Sequence, residues 1–347
     1  MAEARWILGI DAPITDAFID PPAHIARELA QQNAHGDAHF NSLAPSVCAQ
    51  YYRDYDAGCQ PGGTIGNMLA QVAALGGRAA IFGVIGDDTH GLAMAQNLSD
   101  RGIHQVLPVQ KGRRSPVIYA MRHGLHDTLY RRDDGDGLSM KGEDMVLLAA
   151  DNKTGPIIAM QMRRYQQVDP SVRDHIQHDR DAYGAQLALG MQAIKKKTRA
   201  QNPELFELFC SADIVFGNAD EYRTMLQAES DPLPALLATS GSKAAGIFVM
   251  TNGGEPTIAV QQGKVIASVT PHPLPDDHVC SIGAGDATMA GVLYGLSQPE
   301  PWPLEDCLKL GALCSHNIFR VHGGQPEPKT PGSLAHLAAQ ARALKAA

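Results

Sequence analysis

The segment from Gly283 to Asp286 has the composition of an anion-binding helix start. It is followed by an amphipathic stretch that predicts a helix from Asp286 to Leu296. Glycine-rich backbone at a helix start leaves the N–H groups of Gly283, Ala284 and Gly285 available to an anion, and the helix dipole adds positive potential. Asp286 could then accept a proton from a hydroxyl nucleophile beside that anion. An ordinary glycine-rich turn with an N-cap aspartate explains the same residues, and the spacing alone does not separate the two interpretations.

A second glycine-rich segment runs from Gly62 to Asn67 and reads GGTIGN. Its glycines let the backbone approach a ligand closely. The amide of Asn67 carries both a donor and an acceptor, which suits a pair of neighbouring hydroxyl groups. The pattern also predicts a helix over 67–75, and a turn with an N-cap asparagine is the simpler explanation of this motif taken alone.

Polar residues follow the carboxyl ends of three predicted strands. Ligands bind at this edge in open α/β sheets. An asparagine with a glutamate three positions later is equally typical of helix capping, and a lone aspartate is typical of a turn. The strands with the residues that follow them are Trp6–Ile10 with Asp16, Asp213–Phe216 with Asn218 and Glu221, and Ala245–Met250 with Thr251 and Gly253.

Short apolar runs alternate with amphipathic stretches along the chain, which predicts an α/β fold with a mostly parallel sheet and helices on both faces. Further strands are predicted at 79–85, 156–162, 186–189, 257–260 and 265–269. Further helices are predicted at 22–32, 91–101, 219–228, 304–321 and 333–344, with another beginning near 169. The chain is interpreted as one domain over 1–347, with a small β lid formed by parts of 12–61 and 111–140.

Composition limits the class of protein. The 347 residues carry a net charge of −8, and 44% of them are hydrophobic. An acidic chain argues against a nucleic-acid-binding protein. No apolar run approaches the ~20 residues of a membrane helix, and we expect a cytoplasmic protein with reduced cysteines. The sequence contains no P-loop, no protein-kinase core motif and no GxSxG elbow.

The order of these motifs resembles the ribokinase-like (PfkB) family of sugar and nucleoside kinases. The resemblance runs over about residues 6 to 324 and includes the IGDDTHG segment at 85–91. Within that family, GGTIGN and the ESDPL segment at 229–233 are most similar to bacterial inosine-guanosine kinases.

The resemblance implies a three-layer α/β/α domain with a β lid, and ATP-dependent phosphorylation of a primary hydroxyl, here the 5′-hydroxyl of inosine or guanosine. It also implies roles for individual residues. By this resemblance Asp286 is the catalytic base, and the anion hole is formed by Gly283, Ala284 and Gly285. The residues implied to bind the nucleoside are Asp16, Gly62, Gly63 and Asn67. The residues implied to contact ATP are Asn218, Thr251 and Gly253, and Glu221 is implied to hold Mg²⁺ through water.

The chain departs from the family pattern at several positions. Cys280 replaces the first aspartate of DTTGAGD, and Pro256 replaces the last glycine of TxGxxG. A DxNxR segment is not recognisable after the strand at 186–189. In the lid, Arg131 and Arg132 are candidate catalytic cations. Phe40, Tyr51 and Tyr52 are candidate contacts to the base.

Three alternatives stay open at this point. They are an adenosine kinase, another sugar kinase of the same family, and a non-catalytic nucleoside-binding protein on the same fold. The exposed edge of the lid could also pair with a second copy and form a homodimer.

Overall fold

A computed structural model describes residues 3–19, 59–123, 127–133, 138–145, 155–192, 202–321, 323–327 and 329–344. For 17–19, 59, 119–123 and 127–133 it describes the backbone only. The helix predicted at 22–32 and the aromatic residues Phe40, Tyr51 and Tyr52 lie outside the described residues.

A nine-stranded sheet forms the centre of the molecule. Its order is β15-β14-β13-β12-β11-β10-β1-β4-β6, in which the strands from β13 to β6 are parallel and β14 and β15 are antiparallel additions at one edge. The strands are β1 (Ile7–Ile10), β4 (Ala79–Phe82), β6 (His104–Val106), β10 (Ile157–Gln161), β11 (Gln186–Gly190), β12 (Ile214–Asn218), β13 (Ile247–Asn252), β14 (Glu255–Gln261) and β15 (Lys264–Val269). This confirms the predicted mostly parallel sheet.

A separate four-stranded sheet has the order β3-β2-β8-β9. Its strands are β2 (Ile14–Ile19), β3 (Cys59–Gly62), β8 (Val117–His123) and β9 (Asp127–Asp133). The β2–β8 pair is parallel and the two outer pairs are antiparallel. The predicted small β lid is therefore present. A further short parallel pair joins β5 (Ile85–Gly86) to β7 (Val109–Gln110).

Helices cover both faces of the central sheet. They are α1 (Thr64–Ala74), α2 (Thr89–Asp100), α3 (Met162–Gln167), α4 (Pro170–Tyr183), α5 (Glu204–Ser211), α6 (Ala219–Leu226), α7 (Leu233–Ser242), α8 (Ala284–Ser297), α9 (Leu304–Ile318) and α10 (Ala335–Ala343). Leu8 and Leu187 pack in one core with side chains of α4 to α7, whereas Ile7 and Ala188 pack in the opposite core with α1, α8 and α9. Strands buried on both faces produce the continuous apolar runs seen in the sequence.

The helices of both glycine-rich motifs begin earlier than predicted. α1 begins at Thr64 with Gly63 as its N-cap, so Asn67 lies inside the helix and does not start it. α8 begins at Ala284 with Gly283 as its N-cap, so Asp286 is the third helical residue and not the cap. Both cap glycines have a positive φ, which glycine adopts without strain, and the helix follows directly after each.

The strand predicted at 79–85 is interrupted at Gly83. A Cβ at this position would lie 2.0 Å from the backbone oxygen of Asp11. Only glycine allows this close approach of two backbones. The chain makes this contact between the end of β4 and the start of the short strand β5.

Candidate active site

A cavity of about 640 Å³ opens at the carboxyl ends of the parallel strands. It is lined by residues of the central sheet, of the small sheet and of the starts of α1 and α8. This is the edge at which open α/β sheets bind ligands. The predicted site residues that line it are Asp16, Gly63, Asn67, Asn218, Glu221, Thr251, Gly283, Ala284, Gly285 and Asp286.

Asp286 is held at both carboxylate oxygens by neutral amides. Its side chain is 5% exposed. Asn67 Nδ2 donates to Oδ2 at 3.0 Å, and Gln192 Nε2 donates to Oδ1 at 2.9 Å. Burial raises the pKa of Asp286 to about 6, the two hydrogen bonds oppose that rise, and the charge of Glu221 adds to it. A carboxylate with this pKa is ionised at neutral pH and can accept a proton efficiently.

The start of α8 leaves space and donors for an anion. The N–H groups of Gly285 and Asp286 lie in the first turn, where amides have no acceptor within the helix. A Cβ on Gly285 would meet nothing within 4 Å. The amide of Ala284 donates to Ser281 O at 3.3 Å, so this one of the three predicted anion-hole amides already has an acceptor.

Asp16 enters the same cavity from the small sheet. Its side chain is 7% exposed, and it accepts a hydrogen bond from the backbone of Gly63. Burial raises the pKa of Asp16 to about 7, the Gly63 hydrogen bond lowers it, and the charge of Asp286 raises it. Gly62 does not line the cavity, but a Cβ on it would lie 1.9 Å from Asp16 Oδ2. Gly62 therefore gives the carboxylate the room that it occupies.

Asn67 lines the cavity, and its side-chain oxygen is a buried acceptor. Its side chain is 2% exposed, and among the described residues Oδ1 has no hydrogen-bond donor. Buried amide oxygens are normally hydrogen-bonded, so this atom is suited to the hydroxyl of a bound molecule. A Cβ on Gly324 would lie 2.2 Å from Asn67 Nδ2, which shows that Gly324 packs directly against this side chain.

Asn218 and Glu221 form a helix-capping arrangement, which is one of the two interpretations of their motif. Asn218 Oδ1 accepts from the Glu221 amide, and Glu221 Oε2 accepts from the Asn218 amide, both at 2.9 Å. Both residues also line the cavity, and Asn218 pairs with Thr251 across β12 and β13. Gly253 lies in the β13–β14 turn with a φ of 58° and does not line the cavity.

The oxygen ligands at the end of the cavity near Glu221 fit a Mg²⁺ ion that is held through water molecules. Mg²⁺ keeps several waters and is bound by one or two carboxylates together with phosphates. Glu221 is close enough to Asp286 to raise its pKa, so two carboxylates face this space. Among the residues that the structure describes, no group of three His, Cys, Asp or Glu side chains could bind a metal directly.

Gln192 and Arg163 are among the polar side chains at the cavity that sequence reasoning did not find. Gln192 lies two residues after β11, and Arg163 lies two residues after β10 in the first turn of α3. Arg163 is exposed and is the one cationic side chain among the described residues that line the cavity. A polar residue one or two positions past each parallel strand is the signal that would have found them.

The departure at Cys280 has a local structural effect. Its sulfur accepts a hydrogen bond from the Ile282 amide at 3.4 Å, and Ser281 and Ile282 line the cavity. Within the described chain, Cys280, Cys307 and Cys314 are free thiols. Pro256 is exposed in β14 and lies away from the cavity lining.

The fold and the site together define an α/β protein with a ligand cavity between its parallel sheet and a β lid. The model of the family described as pfkB family carbohydrate kinase matches residues 53–330. The chain therefore belongs to the pfkB family of carbohydrate kinases.

Three solved structures have a similar fold. Adenosine kinase from Sinorhizobium meliloti has a TM-score of 0.77 at 23% identity, covering 98% of this chain and 100% of that one. Adenosine kinase from Schistosoma mansoni in complex with 2-fluoroadenosine has a TM-score of 0.78 at 12% identity, covering 95% and 99%. A fructokinase from Vibrio cholerae, bound to fructose, ADP and potassium, has a TM-score of 0.72 at 17% identity, covering 98% and 99%.

Curated relatives match over a shorter region. Adenosine kinase 2 of Arabidopsis thaliana is 30% identical over 129 residues, which cover 34% of this chain and 36% of the plant protein. The match therefore spans about a third of the relative's length. Within the described residues, no helix is both long and apolar enough to span a membrane.

Proposed function

We propose that the protein transfers the γ-phosphoryl group of ATP to the 5′-hydroxyl of a purine nucleoside, inosine or guanosine, and so acts in purine salvage. One observation carries this proposal: the buried carboxylate of Asp286 lies in the first turn of a glycine-led helix, in the same cavity as the lid carboxylate of Asp16. A base, an anion-binding helix start and an acceptor for sugar hydroxyls are the parts that phosphoryl transfer to a nucleoside needs.

The residues divide into two halves along the sheet edge. Asn218 and Thr251 lie at the carboxyl ends of β12 and β13, and with Glu221 they form the half that receives ATP. Asp16 and Asn67 form the half that receives the ribose, where each offers an acceptor to a hydroxyl group. Asp286 lies between these two halves of the site and is hydrogen-bonded to Asn67. This order supports a bound state in which the 5′-hydroxyl lies against the base and the γ-phosphate lies against the start of α8.

The reaction requires one proton transfer and one displacement at phosphorus. Asp286 takes the proton of the 5′-hydroxyl, the oxygen forms a bond to the γ-phosphorus, and ADP leaves with the electrons of the broken P–O bond. First-turn amides such as that of Gly285 stabilise the charge on the transferring group. A positioned base contributes on the order of 10²–10⁴ in rate. Mg²⁺ held through water by Glu221 and Asn218 neutralises phosphate charge when it is bound.

Closure of the lid belongs to the same proposal. Asp16 and Ile118 bring the small sheet to the cavity wall, so a nucleoside bound to Asp16 ties the lid to the central domain. Exclusion of water then prevents transfer of the phosphoryl group to water.

Adenosine is a second candidate acceptor, because the curated relative and two of the similar structures are named adenosine kinases. The guanidinium of Arg163 favours inosine or guanosine. It only donates hydrogen bonds, and a 6-oxopurine offers the acceptor O6 at the position where adenine has the N6 donor, whereas N7 is an acceptor in both.

ADP formation from Mg·ATP, measured with inosine, guanosine, adenosine, cytidine, ribose and fructose 6-phosphate, tests the proposal. We expect kcat/KM to be highest for inosine or guanosine. Preference for adenosine or a sugar would refute the substrate assignment and keep the phosphoryl transfer. Nucleoside binding without turnover of any acceptor would instead identify a non-catalytic binding protein.

The proposal also includes the cellular compartment of the protein and its oligomeric state. The free thiols of Cys280, Cys307 and Cys314 support a reducing compartment such as the cytoplasm. β3 and β9 are the outer strands of the small sheet, and pairing of such an edge with a second copy would form a homodimer. Sedimentation that shows only monomer would remove the dimer.

A further inference from the structure

Gln192 connects the candidate base to the start of α1. Its Nε2 donates to Asp286 Oδ1 at 2.9 Å, and its Oε1 accepts from the hydroxyl of Thr64. Gln192 is half-buried and Thr64 is buried, and both line the cavity. Neither residue was assigned a role by the sequence motifs or by the proposed mechanism.

We propose that Gln192 is a positioning residue that fixes the plane of the Asp286 carboxylate, and that Thr64 fixes the amide of Gln192 in turn. The proposal rests on the proposed function, because it concerns the group that accepts the proton in phosphoryl transfer.

The first argument concerns rotation of the carboxylate. Asn67 alone would hold one oxygen and leave the group free to turn about the bond between Cβ and Cγ. Gln192 holds the other oxygen from a different element, the segment after β11, so the two donors together define one plane. Reacting groups must be aligned to within a fraction of an ångström, and a misplacement of about 1 Å can cost on the order of 10² in rate.

The second argument concerns the orientation of the Gln192 amide. A carboxylate only accepts hydrogen bonds, so Nε2 must face Asp286 and Oε1 must face away. The hydroxyl of Thr64 donates to Oε1 and thereby stabilises this orientation. Without that donor, the amide could present its oxygen to Asp286, where two acceptors would repel each other.

The third argument concerns the state that follows proton transfer. When Asp286 carries the proton, half a turn of the Gln192 amide lets Oε1 accept from the acid while Nε2 donates to the Thr64 hydroxyl. Thr64 can serve in both states because a hydroxyl is a donor and an acceptor. The chain of three side chains therefore satisfies the hydrogen bonds of both protonation states of the base.

The charged groups that face Asp286 affect the same equilibrium. Glu221 raises the pKa of Asp286, and the carboxylates of Asp16 and Asp286 interact across the cavity. Arg163 is also at the cavity wall. Gln192 is neutral, so its removal changes hydrogen bonding at Asp286 without changing the charge of the cavity.

Gln192→Met tests the proposal, because methionine preserves the length of the side chain and removes its hydrogen bonds. We expect kcat to fall about 10- to 100-fold while the KM for the nucleoside changes less than about 3-fold. The acidic limb of the kcat/KM profile should move to higher pH, because the variant lacks a donor that lowers the pKa of Asp286. Thr64→Val should have an effect in the same direction and of smaller size.

The matched control is Gln96→Met on α2. Gln96 also donates to an aspartate, Asp100, at 2.6 Å, but this pair is exposed and does not line the cavity. We expect the control to retain the wild-type kcat and pH profile. If Gln192→Met does not fold, Gln192→Asn replaces it, since asparagine keeps the amide but is one methylene shorter.

A kcat for Gln192→Met within twofold of wild type, with an unmoved acidic limb, would overturn the proposal. Loss of activity with an unmoved limb and a lowered Tm would also overturn it, because it would show a structural role only. An NMR titration of the Asp286 carboxyl carbon in wild type and variant separates this proposal from the function. A shifted titration in a protein without kinase activity would refute the proposed function and keep the contact.

Discussion

At the scale of single residues, the site depends on two acidic side chains that the fold buries. Burial of a carboxylate is unfavourable unless hydrogen bonds compensate for lost water. Asp16 receives the amide of Gly63, and Asp286 receives the amides of Asn67 and Gln192. Even so, both pKa values remain raised. Functional sites commonly retain such unfavourable groups, because a perturbed pKa serves the chemistry.

The space around Asp16 leads to a prediction about Gly62. A Cβ on Gly62 would lie only 1.9 Å from Asp16 Oδ2, so the methyl group of alanine would overlap the Asp16 carboxylate. We expect Gly62→Ala to raise the KM for the nucleoside by tenfold or more, as measured by steady-state kinetics, while KM for ATP changes little.

Gly254→Ala is the matched control for this variant. A Cβ on Gly254 would meet nothing within 4 Å, so nucleoside KM should stay at the wild-type value. Equal nucleoside KM values for the two variants would show that Asp16 does not bind the acceptor.

Sequence reasoning identified Asp16 and Asp286 because each follows a recognisable glycine or strand-end pattern. It did not identify Gln192 or Gly324, because their roles depend on contacts between segments far apart in the chain. Gln192 and Asp286 are hydrogen-bonded although they are 94 positions apart in the sequence. Gly324 packs against Asn67, which also lies far from it in the sequence. A single sequence shows which residue types are present, but it does not show which distant segments meet.

At the scale of elements, the start of α8 combines two glycines with different tasks. Gly283 has a φ of 82°, and a Cβ on it would lie 2.5 Å from the backbone of Gly324. Gly285 has no such constraint, and open space lies beside it. The first glycine is therefore required by the fold, and the second leaves room for a ligand.

These tasks predict opposite results for two alanine variants. Gly283→Ala should lower the free energy of unfolding by at least about 1–2 kcal/mol, because a positive φ is strained for alanine and the backbone contact is lost. Gly285→Ala should keep the wild-type Tm and raise KM for ATP, because its methyl group fills the space left for phosphate. Thermal unfolding and steady-state kinetics check both. Loss of stability in Gly285→Ala with unchanged KM would contradict this division.

The prediction of elements from sequence was accurate where hydrophobic periodicity was strong and inaccurate at boundaries. α8 was expected from Asp286 and begins at Ala284, and α1 was expected from Asn67 and begins at Thr64. In both cases the prediction starts the helix at a polar residue, whereas the helix begins two or three residues earlier, directly after a glycine cap with positive φ. Cap geometry depends on backbone angles that the residue type does not specify.

At the scale of the whole molecule, the buried carboxylates couple stability to pH. In the folded protein the pKa of Asp16 is about 7 and that of Asp286 is about 6, both raised from 3.8. A raised carboxyl pKa means that the folded state binds the proton more tightly than the unfolded state. The resulting stabilisation is fully present below about pH 4 and is lost as the pH rises through 6 and 7.

Asp16→Asn should therefore stabilise the fold more at pH 8 than at pH 5. One pKa unit corresponds to about 1.4 kcal/mol, so the difference is on the order of 2 kcal/mol, or a few degrees in Tm. Differential scanning fluorimetry at the two pH values measures it. Asp276→Asn, at an exposed position, is the control and should show no such dependence. A Tm gain for Asp16→Asn that is equal at both pH values would contradict the account.

The most direct test of the central claim compares wild type with Asp286→Asn. Nucleoside 5′-monophosphate formation from Mg·ATP and inosine or guanosine is measured together with nucleoside binding by calorimetry. Asparagine keeps the shape of the side chain and cannot accept the proton, so turnover should fall by about 10²–10⁴ while the Kd for the nucleoside changes less than threefold. Turnover of Asp286→Asn within tenfold of wild type would show that Asp286 is not the base.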